Sequence, residues 1–89
     1  MLKVDATIVN KLGLHARPSA KVTQTASRFR SEVWMTKGTR RINAKSIMGV
    51  MMLAAAKGTV IQIETAGPDE QEAADALCQL IASGFGEEI

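Results

Sequence analysis

The chain contains one histidine, and it stands in a short segment whose residue types suit phosphate chemistry. That segment is Gly13-Leu14-His15-Ala16-Arg17-Pro18. A neutral imidazole nitrogen is a competent nucleophile near neutral pH, because the unperturbed pKa of histidine is about 6.5. The Arg17 guanidinium offers a fork of N–H donors that fits phosphate oxygens. These residue types indicate a phosphoryl-accepting histidine, whereas a histidine at a helix start is, taken alone, often only a cap.

The same segment lies where a predicted strand ends and a predicted helix begins. Gly13 permits a backbone angle that other residues avoid, and Pro18 costs little in a first helical turn, where its missing N–H has no helical partner. The unpaired N–H groups of the first helical residues point toward any anion at that end of the helix. A phosphoryl group on His15 would be such an anion.

A second segment combines a helix start with a methionine-rich run: Asn43-Ala44-Lys45-Ser46-Ile47-Met48-Gly49-Val50-Met51-Met52-Leu53. Ser46 is a good N-cap for a short helix, which Gly58 can close. The residues that share its predicted inward face are Ile47, Val50 and Ala54. Met48 and Met52 lie on the other side, where flexible thioethers either complete the core or form an exposed patch near His15 that adapts to several partners.

The two segments resemble the active-site motif and the regulatory-serine segment of the HPr family, the histidine-phosphorylated carriers of the phosphoenolpyruvate-dependent phosphotransferase system. The element order and the run Gly67-Pro68-Asp69-Glu70-Gln71-Glu72-Ala73 agree as well, so the resemblance covers essentially the whole chain. It implies a single HPr-like phosphocarrier domain over residues 1–89. It also implies an open-faced β-sandwich with sheet order 1-4-2-3.

Residue roles follow from the resemblance at the matching positions. His15 is expected to accept the phosphoryl group through Nδ1, with Arg17 as its electrostatic partner. Ser46 is expected to be either a target of a serine kinase and phosphorylase or a plain helix cap. The predicted partner-binding residues are Ala16, Ala20, Met48 and Met52. The expected partners are enzyme I as donor and an enzyme IIA protein as acceptor, in either sugar uptake or nitrogen-related regulation, and no cofactor is expected.

Apolar spacing along the chain alternates between a period of two and a period of three to four. Strands are predicted at residues 2–8, 32–36, 40–43 and 59–65, and helices at residues 16–29, after Ser46, and from Asp69 to Gly84. Asp69 with Glu72 matches a capping box. The predicted fold class is α+β, ordered β-α-β-β-α-β-α, with a four-stranded antiparallel sheet and the helices on one face. Trp34 is expected on the open face, packed locally or against a partner.

The amino-acid composition further restricts the class of protein. Apolar residues make up 46% of the 89 residues and charged residues 22%, which is typical of a globular protein. Cys78 is the only cysteine, so neither an internal disulfide nor a structural zinc site is expected. No signal peptide or membrane-spanning run is evident. We therefore predict a cytoplasmic monomer without membrane insertion.

Charge is distributed unevenly along the chain. All eleven lysines and arginines lie at or before Lys57, and the remainder carries only acidic residues. The basic half indicates an acidic partner or a phosphate, or else a fold that pairs the two halves.

Two other classes of function fit the sequence less well. An RNA-recognition domain has a similar element order, but it stacks bases on strand aromatics, and this chain has only Phe29, Trp34 and Phe85. A stand-alone enzyme is disfavoured because the sequence holds no phosphate-binding loop motif, metal cluster or Ser/His/Asp set. We therefore expect no nucleic-acid partner and a carrier rather than an enzyme.

Overall fold

The computed structural model describes residues 1–89, in which helices cover one face of a four-stranded sheet. The elements in chain order are β1 (Leu2–Thr7), α1 (Ala16–Ser27), β2 (Glu32–Lys37), β3 (Arg40–Asn43), α2 (Ile47–Met52), β4 (Val60–Ala66), α3 (Glu70–Ala82) and a 3₁₀ turn (Gly84–Gly86). The first helix ends two residues before the predicted boundary, and the 3₁₀ turn was not predicted.

All strand pairs are antiparallel, and the sheet order is β1-β4-β2-β3. The predicted fold class and the sheet order implied by the resemblance are both confirmed. Alternate residues of the two central strands are fully buried, among them Ile61 and Ile63 of β4 and Met35 of β2. The period of two therefore places one apolar face against the helices. In the edge strand β1 the apolar face is only partly covered, and Val4 is 36% exposed.

One hydrophobic cluster joins the sheet to the helices. Val22 and Ala26 of α1 and Leu77 and Ile81 of α3 lie in it, together with Phe85 of the 3₁₀ turn. Burial of one such large aliphatic or aromatic side chain stabilises a fold by about 1.5–3 kcal/mol. Because Phe85 belongs to the cluster, the C-terminal tail is held against the body of the fold.

The short helix α2 begins as predicted and ends early. The Ser46 hydroxyl accepts a hydrogen bond from the Gly49 N–H at 3.2 Å, so the predicted N-cap is confirmed. The predicted end at Gly58 is wrong: α2 ends at Met52, because Ala54 adopts a left-handed backbone angle, with φ +50°. Arg40 donates to the Met52 carbonyl, which has no helical partner at this end. The predicted inward face is also partly wrong: Val50 is buried, but Ile47 is 41% exposed, and Ala54 is exposed and lies beyond the end of the helix.

The predicted capping box at the start of α3 does not form. Asp69 is the N-cap residue, but its carboxylate makes no cap hydrogen bond. It accepts instead from the N–H and hydroxyl of Ser31 and from the Arg30 N–H. These hydrogen bonds lower the pKa of Asp69 to about 2, and the bond from the Ser31 hydroxyl has the largest effect. The carboxylate thus joins the α1–β2 connection to α3.

The open face of the sheet carries a small polar cluster. The Arg41 guanidinium lies 4.2 Å from the centre of the Trp34 ring and also pairs with Glu64, at 3.3 Å between Nη2 and Oε2. Trp34 therefore packs locally, one of its two predicted environments. The pair Arg41–Glu64, like Lys11–Glu88, joins the basic half of the chain to the acidic half. None of the helices is long and apolar enough to span a membrane.

Candidate functional site

His15 is the N-cap residue of α1, as predicted. Its backbone is extended, with φ −80° and ψ −171°, and its side chain makes no capping hydrogen bond. The first helical bond runs from the Ser19 N–H to the His15 carbonyl at 3.0 Å. The N–H groups of Ala16 and Arg17 have no partner within the protein. The imidazole and these two donors therefore share the positive end of the helix dipole, where an anion is stabilised.

Gly13 sets the path of the chain into this site. Its φ is +69°, and the Leu14 N–H that follows donates to the Ala55 carbonyl at 2.9 Å. A Cβ added at Gly13 would lie 2.4 Å from the Ala55 carbonyl oxygen and 2.9 Å from the Ala56 Cα. Only glycine fits here, because both the backbone angle and the backbone of residues 55–56 exclude a side chain.

We expect Gly13→Ala to destabilise the fold by about 2–4 kcal/mol, because a left-handed angle and a backbone collision act together. Gly38→Ala is the matched control, since Gly38 has φ +60° and nothing within 4 Å of its added Cβ. That variant should lose only about 1 kcal/mol from the backbone angle. Urea unfolding of both variants measures the difference, and equal losses would show that the His15 loop is not held against residues 55–56.

The His15 ring is held by a residue from the far end of the chain. Its Nε2 lies 2.8 Å from Oε1 of Glu87, and the exposed fractions of the two side chains are 37% and 17%. The other ring nitrogen, Nδ1, has no protein partner. His15 is therefore accessible on one side and fixed on the other.

Asn10 connects the Gly13 loop to the Glu87 carboxylate. Its fully buried amide nitrogen donates to the Gly13 carbonyl at 2.8 Å and to Glu87 Oε1 at 3.2 Å. Both partners are acceptors, so the amide NH₂ must face them. The hydrogen bond from His15 lowers the pKa of the Glu87 carboxyl below its ordinary value, although burial acts to raise it. The hydrogen bond from Asn10 and the charges of His15 and Arg17 also lower this pKa.

The remaining predicted site residues surround His15 or lie on α2. Arg17 is exposed and lines a shallow depression together with Lys11 and Glu87. Ala16 is exposed and Ala20 is half-buried. No three histidine, cysteine or acidic side chains are close enough to share a metal ion. The two cations of the depression are offset by the carboxylates of Glu87 and Glu88, and the His15 ring is not among the residues that line it.

The exposed surface of α2 is apolar. Met48 is 68% and Met52 56% exposed, so these residues do not complete the core. Ile47 and Met51 are each 41% exposed and extend the same surface. Exposed apolar side chains close together are typical of interaction surfaces, and we call these four residues the methionine patch.

Sequence reasoning missed two residues of this site, Asn10 and Glu87. Glu87 and His15 are separated by 72 positions, and nothing in the residues around Asn10 links it to the site. The one available signal was the acidic second half of the chain, which identifies no individual carboxylate.

The sequence matches the family described as PTS HPr component phosphorylation site over residues 2–83, and the match ends before the tail that carries Glu87. The phosphocarrier protein HPr of Neisseria meningitidis serogroup A is 67% identical over 87 residues, which cover 98% of each chain. The crystal structure of HPr-C-His from Thermoanaerobacter tengcongensis superposes with a TM-score of 0.95 at 50% identity and covers both chains fully. An HPr dimer from the same organism matches with a TM-score of 0.79 at 50% identity and covers 98% of this chain and 100% of that one.

The fold, the histidine at the first helix N-terminus and these matches together define the class: small phosphocarrier proteins, which carry a phosphoryl group rather than act as catalysts. Within that class, the chain belongs to the HPr family of the phosphotransferase system.

Proposed function

We propose that this protein accepts a phosphoryl group from enzyme I on Nδ1 of His15 and passes it to an enzyme IIA protein. The observation that carries the proposal is the position of His15 at the N-terminus of α1. The N–H groups of the two residues that follow it, Ala16 and Arg17, have no partner within the protein. We place this exchange in the cytoplasm and assign it to the monomer.

The choice of Nδ1 follows from the ring environment. Nε2 is bonded to Glu87 at 2.8 Å, whereas Nδ1 has no partner in the protein. A phosphoryl group on Nδ1 leaves the bond between Nε2 and Glu87 in place. Arg17 lies two residues after His15, in the first turn of α1, and its fork of donors suits the phosphoryl oxygens.

Partner docking is assigned to the surface around the site. The methionine patch offers apolar area, and the small side chains of Ala16 and Ala20 allow a partner backbone to approach closely. Arg17, Arg28 and the half-buried Lys21 add positive charge along α1, which favours an acidic partner surface. Enzyme I and enzyme IIA must meet the same histidine in turn, and flexible methionines allow one surface to fit both.

A relay assay tests the proposal. The protein is incubated with enzyme I and labelled phosphoenolpyruvate, and then with enzyme IIA domains of the sugar type and of the nitrogen-related type. The label should first appear on this protein and then move to one of the two acceptors, which identifies the branch. A protein that takes no label from enzyme I would contradict the proposal.

Ser46 is proposed as a regulatory position, and Ser46→Asp tests it. A negative charge at the start of α2 faces the positive end of that helix, so stability should be unchanged or rise by about 0.3–1 kcal/mol. The same charge adjoins the methionine patch and should weaken enzyme I binding, through desolvation and repulsion, without changing the maximal transfer rate. Transfer kinetics across enzyme I concentration and salt measure this effect.

Ser46→Ala is the control, because it removes the hydroxyl that accepts from Gly49 without adding charge. It should lose about 1 kcal/mol of stability and leave enzyme I affinity unchanged. Unchanged kinetics in Ser46→Asp would leave Ser46 with a capping role alone.

A further inference from the structure

The C-terminal tail, residues 84–88, closes onto the His15 ring. We propose that Glu87 is a positioning residue for phosphoryl transfer, which keeps the ring proton on Nε2 and stabilises the positive charge that the ring gains when Nδ1 bonds to phosphorus. The inference rests on the proposed function, since it assigns a role within that reaction. The observation behind it is the 2.8 Å contact between His15 Nε2 and Glu87 Oε1.

The position of the ring proton follows from the partners of the carboxylate. Glu87 Oε1 also accepts from the Asn10 amide, which already marks it as an acceptor. The lowered pKa of Glu87 agrees with an ionised carboxylate, which accepts hydrogen bonds and donates none. Nε2 must therefore carry the proton, and the lone pair of the neutral ring resides on Nδ1.

Charge moves onto the ring during the transfer step. The Nδ1 lone pair forms the new N–P bond, and the bond between phosphorus and the donor's leaving atom breaks, with its electron pair staying on the donor. Because Nε2 keeps its proton, the phosphorylated ring becomes cationic. The Glu87 carboxylate faces that cation, so the hydrogen bond strengthens as the reaction proceeds. When the phosphoryl group moves to the next protein, the ring loses this positive charge.

The backbone of the tail is built to deliver this carboxylate. Three consecutive residues, Gly84, Phe85 and Gly86, have φ between 60° and 74°, which reverses the chain after α3. Phe85 is not a glycine, so its left-handed angle is strained, and strain of this kind persists only where the surroundings enforce it.

Three contacts enforce this conformation. Phe85 is 1% exposed within the core cluster, and the Lys21 ammonium donates to its carbonyl at 2.5 Å. The Lys11 N–H donates to the Glu88 carbonyl at 2.8 Å. Glu87 lies between these anchors, so its carboxylate is directed at His15 by the fold rather than by chance surface contact.

The first measurement identifies the protonated ring nitrogen in the unphosphorylated protein. Long-range ¹H–¹⁵N spectra at a pH where the ring is neutral should show the proton on Nε2 in the parent. In Glu87→Ala the ¹⁵N shifts of the two nitrogens should move toward each other, as the Nδ1–H form becomes populated. Glu88→Gln removes the neighbouring tail charge without touching the ring and should match the parent. If the tail had only a structural role, the ring proton would occupy the same nitrogen in the parent, Glu87→Ala and Glu88→Gln.

The second measurement is single-turnover transfer from phosphorylated enzyme I. Glu87→Gln keeps the shape of the side chain and loses its charge, so it should slow transfer about tenfold, the size of one hydrogen bond to a charged group. Glu88→Gln should transfer at the parent rate. Melting temperatures confirm that each variant is folded, and the isosteric Glu87→Gln keeps the test valid if Glu87→Ala loosens the tail.

Equal transfer rates for Glu87→Gln and Glu88→Gln, with an unmoved ring proton in Glu87→Ala, would overturn the inference while leaving the proposed function intact. Failure of the parent itself to accept a phosphoryl group would overturn the proposed function, and this positioning role with it.

Discussion

His15→Ala is expected to accept no phosphoryl group from enzyme I and phosphoenolpyruvate, whereas the parent gains one. The parent's group should be labile in acid and stable in base, as a P–N bond to imidazole is and a phosphoserine ester is not. The chain has no second histidine that could substitute. Mass spectrometry of both proteins after the same incubation measures the difference.

The loss in His15→Ala should not come from unfolding. The imidazole makes no capping hydrogen bond and is 37% exposed, so its removal leaves neither a core cavity nor an uncapped helix. The thermal unfolding curve of the variant should therefore remain cooperative. Undiminished acid-labile phosphorylation of a folded His15→Ala would show that the acceptor is another residue.

Arg17→Ala is expected to retain the fold and to slow transfer from enzyme I by about 30- to 1000-fold. This range corresponds to about 2–4 kcal/mol, the usual effect of one electrostatic donor at a transition state in a site closed to water. Arg17 is exposed in the free protein, so the full effect requires a docked partner that excludes water. Single-turnover rates at saturating enzyme I isolate the chemical step from binding.

Arg28→Ala is the matched control for Arg17→Ala, because Arg28 is an exposed arginine at the opposite end of the same helix. It removes the same charge from the protein but not from the site. A modest loss of affinity with an unchanged maximal rate is expected for it. Equal maximal rates for Arg17→Ala and the parent would show that the guanidinium takes no part in transfer.

Features encoded within a few neighbouring residues could be predicted from the sequence. The cap at Ser46 is local, because its hydroxyl accepts from an N–H group only three positions away. The start of α1 at His15 is local too, because Gly13 and Pro18 mark it on either side. The four strands could be located because their apolar residues alternate and turn residues separate them. The sheet order came from the resemblance and not from periodicity, since pairing between distant strands leaves no mark on local spacing.

Features that depend on distant partners could not be predicted. Asp69 has the sequence of a capping residue, but its carboxylate is taken by Ser31, 38 positions away, which offers two donors together. Ile47 follows the inward spacing of α2, but a six-residue helix covers the core with little more than Val50. The contact between Glu87 and His15 spans 72 positions and depends on the reversed tail. Neither residue type nor spacing encodes that reversal.

The most direct test of this account is to identify the atom that carries the phosphoryl group in the parent protein. ¹⁵N-labelled protein is phosphorylated with enzyme I and phosphoenolpyruvate, and ³¹P–¹⁵N coupling in the imidazole ring is recorded under alkaline conditions. The account predicts coupling to Nδ1 of His15, with the bond between Nε2 and Glu87 retained. A phosphoryl group on Nε2, or on any residue other than His15, would contradict it.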